Sequence, residues 1–300
     1  MIPRHAASTL QRLAAGCPVL AMTGPCQSGK TTLARVLFSG KAYVSLENPE
    51  EREFAQTDPK RFLARFTDGA LVPQDWFANY VATYVERDVR QILAVQDLSQ
   101  FHRFVRMCAG RSGQLLNLAA LGADCGISAV TAAKWLSVLE TSYLMFRLQP
   151  HHRNFGKRLV KTPKLYCLDV GLMAWLLGIR DVSTLQTHPA RSAIFETWVI
   201  SELVKHRLNA GRDAALFFWR DSLGHEVDVL LETPEGLQGI EIKSGATFAT
   251  DWPQAIHKWA GLSDLPTLPP RIIYGGDGHY ERQGCQVSGW REFALDPATA

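Results

Sequence analysis

His225-Glu-Val-Asp-Val-Leu-Leu-Glu-Thr-Pro-Glu-Gly-Leu-Gln-Gly-Ile-Glu-Ile-Lys243 holds two alternating segments around a turn signal. Residues 225–231 and 239–243 alternate apolar and polar side chains, the period of half-buried strands. Thr233-Pro-Glu-Gly236 has proline second and glycine fourth, as a tight turn favours. A simple hairpin centred between Pro234 and Glu235 sets Asp228 opposite Glu241 and Glu226 opposite Lys243. Val227, Val229, Ile240 and Ile242 then line the other face. Opposed like charges destabilise a sheet, since paired positions sit only ~4.5–5.5 Å apart at Cβ. Two accounts of the Asp228–Glu241 opposition stand. In one, the two carboxylates share a divalent cation, Mg²⁺, and Lys243 polarises a phosphate or helps activate water. In the other, the strands carry an ionic ladder on a solvent-facing sheet, with a Glu226–Lys243 salt bridge. Upstream, Phe195-Glu196-Thr-Trp-Val199 opens a helix whose Glu196 would supply a third carboxylate.

At the other end of the chain, Cys17-Pro-Val-Leu-Ala-Met-Thr23 reads as a short buried strand. Gly24-Pro-Cys-Gln-Ser-Gly29-Lys30-Thr31 follows at once, and a helical pattern begins at Thr32. Strand, GxxxxGKT and helix form the context that a phosphate-binding loop requires. The glycines let backbone N–H groups turn in around phosphate oxygens, and the helix N-terminus adds its positive end. Lys30 would reach the β- and γ-phosphates of ATP, and the Thr31 hydroxyl would complete the shell of a bound Mg²⁺.

Lys41-Ala-Tyr-Val-Ser-Leu-Glu47 reads as a second strand and Asn48-Pro-Glu-Glu as the start of a helix. Hydrolysis needs a further strand ending in Asp-Glu to hold Mg²⁺ and orient water. The only candidate, Ala70-Leu-Val72, is short and runs into Pro73. Roughly 75 residues with two strands are available, where whole domains commonly run ~100–150 residues. The nucleotide-binding core therefore reads as truncated.

Trp76 to Leu93 has helical spacing, with a Glu86-Arg87-Asp88 face that reads as solvated or ion-paired. Leu118 to Ile127 reads as a short helix. Ser128 caps a longer one, Ala129 to Leu144, carrying Val130, Ala133, Trp135, Leu136 and Leu139. Their tight link matches a helix-turn-helix. A hairpin-like stretch follows, Met145–Pro150 and Leu159–Leu168. Between Arg147 and Lys164 lie six basic residues and no acid. Arg153, Lys157, Arg158 and Lys161 would let such a wing track the phosphate backbone of DNA or RNA. A winged helix used only for domain packing, with solvated charges, is the equal alternative.

Three hundred residues, 46% of them apolar, allow two or three domains with real cores. A net charge of +3 makes any nucleic-acid surface local. No apolar run reaches the ~18 residues of a membrane span, and the N-terminus lacks signal-peptide order. Six scattered cysteines without metal spacing fit free thiols, so a cytoplasmic setting is expected.

The Glu196, Asp228, Glu241-x-Lys243 order resembles the PD-(D/E)xK nuclease superfamily. Several stretches together resemble a bacterial and archaeal family of AAA-type ATPases that ends in the domain of unknown function numbered 4143. They include Gly24–Thr32, Tyr43-Val-Ser-Leu-Glu, Tyr84-Val-Glu-Arg-Asp-Val, Lys164-Leu-Tyr-Cys-Leu-Asp-Val-Gly-Leu and Phe195-Glu. Trp219-Arg-Asp, His225-Glu-Val-Asp and Glu241-Ile-Lys-Ser complete the set. The resemblance implies an α/β protein. A truncated P-loop domain would span 1–72, a helical and winged-helix region 73–180, and a restriction-endonuclease-like domain 181–300. Cys26 stands where the family places arginine, and the block carrying the second carboxylate pair, the sensor residues and the arginine finger is missing near Ala70. Expected function is ATP binding with impaired hydrolysis. The alternatives are an Mg²⁺-dependent nuclease and a non-enzymatic nucleic-acid-binding protein.

Overall fold

The computed structural model describes residues 6–16, 29–44, 48–58, 61–62, 65–66, 70–71, 98–151, 161–179 and 181–295. The chain separates into two compact units, Met1–Leu98 and Ser99–Ala300.

The first unit has helix α1 (Ala6–Gly16) and helix α2 (Lys30–Leu37). Strand β1 (Ala42–Tyr43), helix α3 (Pro49–Thr57) and strand β2 (Ala70–Leu71) follow. Asn48 caps α3 by accepting the Glu50 N–H at 3.0 Å, and Pro49 occupies the first turn, where its missing N–H costs nothing. β1 and β2 pair in parallel on either side of α3, so two parallel strands are joined by a helical crossover. Arg65 ion-pairs with Glu51 at 2.9 Å and lies over the rings of Phe54, Phe62 and Phe66. The expected strand 17–23, most of the phosphate loop including Gly24, and the expected helix 76–93 lie outside the described residues.

The second unit opens with three helices, α4 (Leu98–Gly110), α5 (Leu118–Cys125) and α6 (Ala129–Thr141). Trp135 of α6 stands edge-on to Phe101 and Phe104 of α4, at centroid distances of 5.1 and 5.4 Å. Ser128 caps α6 through the Thr131 N–H, as expected, and Gly126 ends α5 in the left-handed region. Two expectations need correction. The helix ends at Thr141, and Val130 is 66% exposed, while Ala132 takes the inner position beside Trp135, Leu136 and Leu139.

Strands β3 (Met145–Pro150) and β4 (Lys164–Cys167) form the expected antiparallel hairpin. Helices α7 (Val170–Leu176), α8 (Val182–Thr187) and the 19-residue α9 (Arg191–Asn209) follow. Then come β5 (Leu216–Arg220), β6 (Glu226–Thr233) and β7 (Gly236–Lys243). Helix α10 (Gln254–Leu262), β8 (Arg271–Tyr274), β9 (His279–Arg282), β10 (Cys285–Gly289) and α11 (Trp290–Leu295) complete the unit.

The eight described strands of this unit lie in one mixed sheet, ordered β4-β3-β5-β6-β7-β8-β10-β9. β3 pairs in parallel with β5, so the hairpin is the margin of the large sheet. Two strands from the 73–180 region thus share a sheet with the C-terminal strands.

One face of the sheet buries Val229, Ile240, Ile242 and Ile273 against Val199, Ile200 and Leu203 of α9. The other buries Leu230, Leu237 and Ile272 against Ile256 and Trp259 of α10. Each such side chain contributes about 1.5–3 kcal/mol through burial. α10 approaches so closely that a Cβ on Gly239 would sit 2.7 Å from Ile256 Cγ1. The described cysteines, Cys108, Cys125, Cys167 and Cys285, are free and buried, and no described helix is long and apolar enough to cross a membrane.

Candidate functional site

β6 and β7 pair in the expected register, from Val229 opposite Ile240 to Thr233 opposite Gly236. Beyond Val229 the ladder is interrupted, and the cause lies on the other side of β6. Phe217 pairs with Leu230 but Trp219 with Val227, so β6 carries one extra residue at Asp228–Val229. Such a bulge re-aims the side chains around it. Val227 accordingly joins Leu230 and Trp219 in the α10-side core, not Val229 and Ile240 as a regular strand requires.

The bulge delivers Asp228 to the end of β7, where its Oδ2 accepts the Ile242 N–H at 2.8 Å. Glu241 is only 4% exposed and ion-pairs with Lys243 through Oε1; its Oε2 is buried with no hydrogen-bond partner. Burial, reinforced by the Asp228 charge, pushes the Glu241 carboxyl up to about 8, against the pull of Lys243. Burial lowers the Lys243 pKa, but Asp228, Glu241 and Glu196 outweigh it and the net direction is up. The expected Glu226–Lys243 pairing does not form. Glu226 instead pairs with Lys164 and, at 3.2 Å, with Arg220.

α9 supplies the third expected carboxylate. Its first turn is tied to the end of β7 by Arg191, which donates to the Ser244 carbonyl at 3.1 Å, and by the Ser192–Ser244 hydroxyl contact at 2.8 Å. Thr197 bonds Ser112, which also accepts the Cys167 N–H. Glu196, between these anchors, has Oε1 bonded by the Tyr166 hydroxyl at 2.5 Å and by Lys164 at 3.2 Å. Its pKa is raised by burial and by Asp228, with Lys164 and Tyr166 opposing. Burial also pushes the Tyr166 hydroxyl well up. Lys164 is 3% exposed; burial lowers its pKa, but Glu196, Asp228 and Glu226 together raise it, so it remains an ammonium.

The structure therefore gathers Glu196, Asp228, Glu241 and Lys243 in one cluster, together with Glu226, which the sequence sets opposite Lys243, and with Lys164 and Tyr166, to which it gives no role there. Their signal was the Lys164-Leu-Tyr166 segment, noted only for its family likeness. Among the described residues no three carboxylate, imidazole or thiol groups are placed to hold one metal ion together. Asp228 and Glu241 suit a hard cation such as Mg²⁺, which is often held by one or two carboxylates with water filling the other positions. The unpartnered Glu241 Oε2 is the observation that fits such an ion.

In the first unit Gly29 has φ 78° and directly precedes α2, so Lys30 and Thr31 open that helix half-buried, with Thr32 exposed. Of the expected nucleic-acid residues, Lys161 is described and exposed; Arg153, Lys157 and Arg158 lie outside the described residues.

Two family profiles match. A domain of unknown function (DUF8612) matches residues 61–183, and a domain of unknown function (DUF4143) matches residues 191–293. Uncharacterized proteins of Mycobacterium bovis (Mb2031c) and Mycobacterium tuberculosis (Rv2008c) are each 29% identical over 222 residues, 74% of this chain and 48% of theirs. The chain thus spans about half the length of these curated relatives. No solved structure matches.

Proposed function

We propose that the DUF4143 segment is a divalent-cation-dependent phosphodiester-cleaving site of the PD-(D/E)xK type. Asp228 and Glu241 hold the cation, Lys243 faces the phosphate, and Glu196 stands behind them. The observation that carries this reading is the buried Glu241 oxygen without a partner, beside Asp228 and Lys243. The order of elements supports it. Helix α9, the antiparallel β5, β6 and β7, helix α10 and the parallel β8 form a compact mixed unit, with Asp228 and Glu241 on adjacent central strands.

Each side chain has a definable task. The Asp228 carboxylate is fixed by the Ile242 N–H, which spares it the rotamer search that costs precision. Glu241 would hold such a cation through its unpartnered oxygen. Lys243, 32% exposed, is the side chain of the Glu241 pair that reaches outward, so its ammonium can neutralise charge on an incoming phosphate. A divalent cation, when bound, would polarise the phosphoryl oxygen and lower the pKa of the attacking water. DNA or RNA is the substrate class this chemistry serves, and the α5–α6 pair with its β3–β4 hairpin supports a nucleic-acid partner. The test is cleavage of single- and double-stranded DNA and RNA with Mg²⁺ or Mn²⁺, comparing wild type with Glu241→Gln. Cleavage that persists undiminished in the variant, or none on any substrate, rejects the reading.

A second activity, ATP binding by the first unit, is supported by the left-handed Gly29 at the start of α2. A phosphate-binding loop places its lysine and hydroxyl residue there. Mg²⁺ would accompany the nucleotide at Thr31. Weak or absent hydrolysis goes with this reading, since no Asp-Glu pair follows the β2 strand in sequence.

A further inference from the structure

The carboxylate cluster is divided into a half paired with cations and a half that holds an unpartnered buried oxygen. Glu196 and Glu226 belong to the first. Lys164 pairs with one oxygen of each; Tyr166 adds a second donor to Glu196, and Arg220 takes the other oxygen of Glu226. Asp228 and Glu241 belong to the second, where the one buried side-chain oxygen without a hydrogen-bond partner among the described residues, Glu241 Oε2, is found. The dividing group, Lys164, arrives from β4, outside the segment that carries the other carboxylates, and is 3% exposed. Water cannot screen it there, and its neighbours are fixed by the Ser112–Thr197 contact and the β3–β4 ladder.

We propose that Lys164 is a tethered cation filling the place a second divalent ion would take, so that the site binds one divalent ion, between Asp228 and Glu241. The inference rests on the reading of those two residues as cation ligands. Two-ion phosphodiesterases bridge their metals with carboxylates spread about the scissile phosphate. Here the two carboxylates that would serve a second ion are bridged by an ammonium on a four-carbon stem, whose three donors and compact charge match that task, and Arg220 adds the second positive charge at Glu226. Lys164 is a positioning residue. It holds Glu196 and Glu226 away from the ion and keeps the cluster's net charge low enough for a single divalent cation to balance it.

The test is Mn²⁺ titration calorimetry on the full chain. Wild type should bind one Mn²⁺ per chain, with affinity falling at least ~10-fold in Glu241→Gln. Lys164→Met, which frees two carboxylates, should bind two; Lys164→Arg, which keeps the charge, should bind one. Should Lys164→Met fold only when Mn²⁺ is present, that dependence is itself the expected substitution of ion for ammonium. The triple variant Lys164→Met/Glu196→Gln/Glu226→Gln, which has no carboxylates left for a second ion, should bind no more than one. One ion in Lys164→Met, two in wild type, or two in the triple variant overturns the proposal. No Mn²⁺ bound by wild type overturns the Asp228–Glu241 reading itself, and this inference with it.

Discussion

The Asp228 carboxylate receives the Ile242 N–H at 2.8 Å, a side chain taking the backbone partner that the β6–β7 ladder leaves unserved beyond Val229 and Ile240. The residue thus has a structural role beside the ligand role proposed for it, and substitution separates the two. Asp228→Asn keeps an acceptor for the N–H and should change thermal stability little, while weakening Mn²⁺ binding about 10–100-fold. Asp228→Ala removes both and should cost a further ~1–3 kcal/mol of stability, read from urea unfolding. Equal stability of the Asn and Ala variants would show that the Ile242 N–H needs no acceptor.

Glu241 gives the metal-free protein a pH dependence of definite sign. Its carboxyl binds a proton more tightly in the folded chain, at about 8, than at its ordinary 4.5. Between those values the folded state holds more protons than the unfolded one, so unfolding free energy falls as pH rises. The loss is fully absent below the lower value and complete above the upper one, on the order of 5 kcal/mol. Thermal melts in a chelator from pH 5 to 9 measure it. Glu241→Gln should flatten that part of the profile and be the more stable protein at pH 9; a wild-type profile already flat there contradicts the buried proton.

Gly239 is where α10 rests on the sheet. Gly239→Ala pushes a methyl group to within 2.7 Å of Ile256 and 3.1 Å of Trp259. Overpacking of this kind costs about 1–3 kcal/mol. Denaturant midpoints should fall accordingly, and the Trp259 fluorescence environment should change with them. Wild-type stability in this variant would mean that α10 shifts freely.

ATP should bind the full chain with a micromolar Kd by calorimetry, and Lys30→Ala should abolish the heat. Turnover should remain at or near background. Rapid hydrolysis by purified wild type would show that the catalytic carboxylate comes from elsewhere in the chain. Absent binding would make Gly29 and Lys30 a relic of the loop.

Local chemistry made much of the fold legible. The Thr233-Pro-Glu-Gly236 turn set the β6–β7 register, Ser128 and Asn48 marked their helices, and Glu196 was found on a helix facing the strands. What stayed hidden depends on distant partners. The extra residue at Asp228–Val229 is defined against β5, so alternation within β6 alone put Val227 on the wrong face. Lys164 lies 32 positions from Glu196 in sequence, and no periodicity links the end of one hairpin to the third carboxylate. Glu226 was matched with Lys243 because that pairing is regular; the regular ladder stops before reaching them.

Residues 149 and 150 hydrogen-bond in parallel with 217 and 218, joining the hairpin to the remaining strands. The two profile matches meet between residues 183 and 191, so the line between them runs through one continuous sheet. A fragment beginning at Arg191 would keep the two acids of the cation site yet lose the ammonium that balances their neighbours. It would also present β5 as a raw margin of unmet donors and acceptors, the kind that recruits further copies into aggregates.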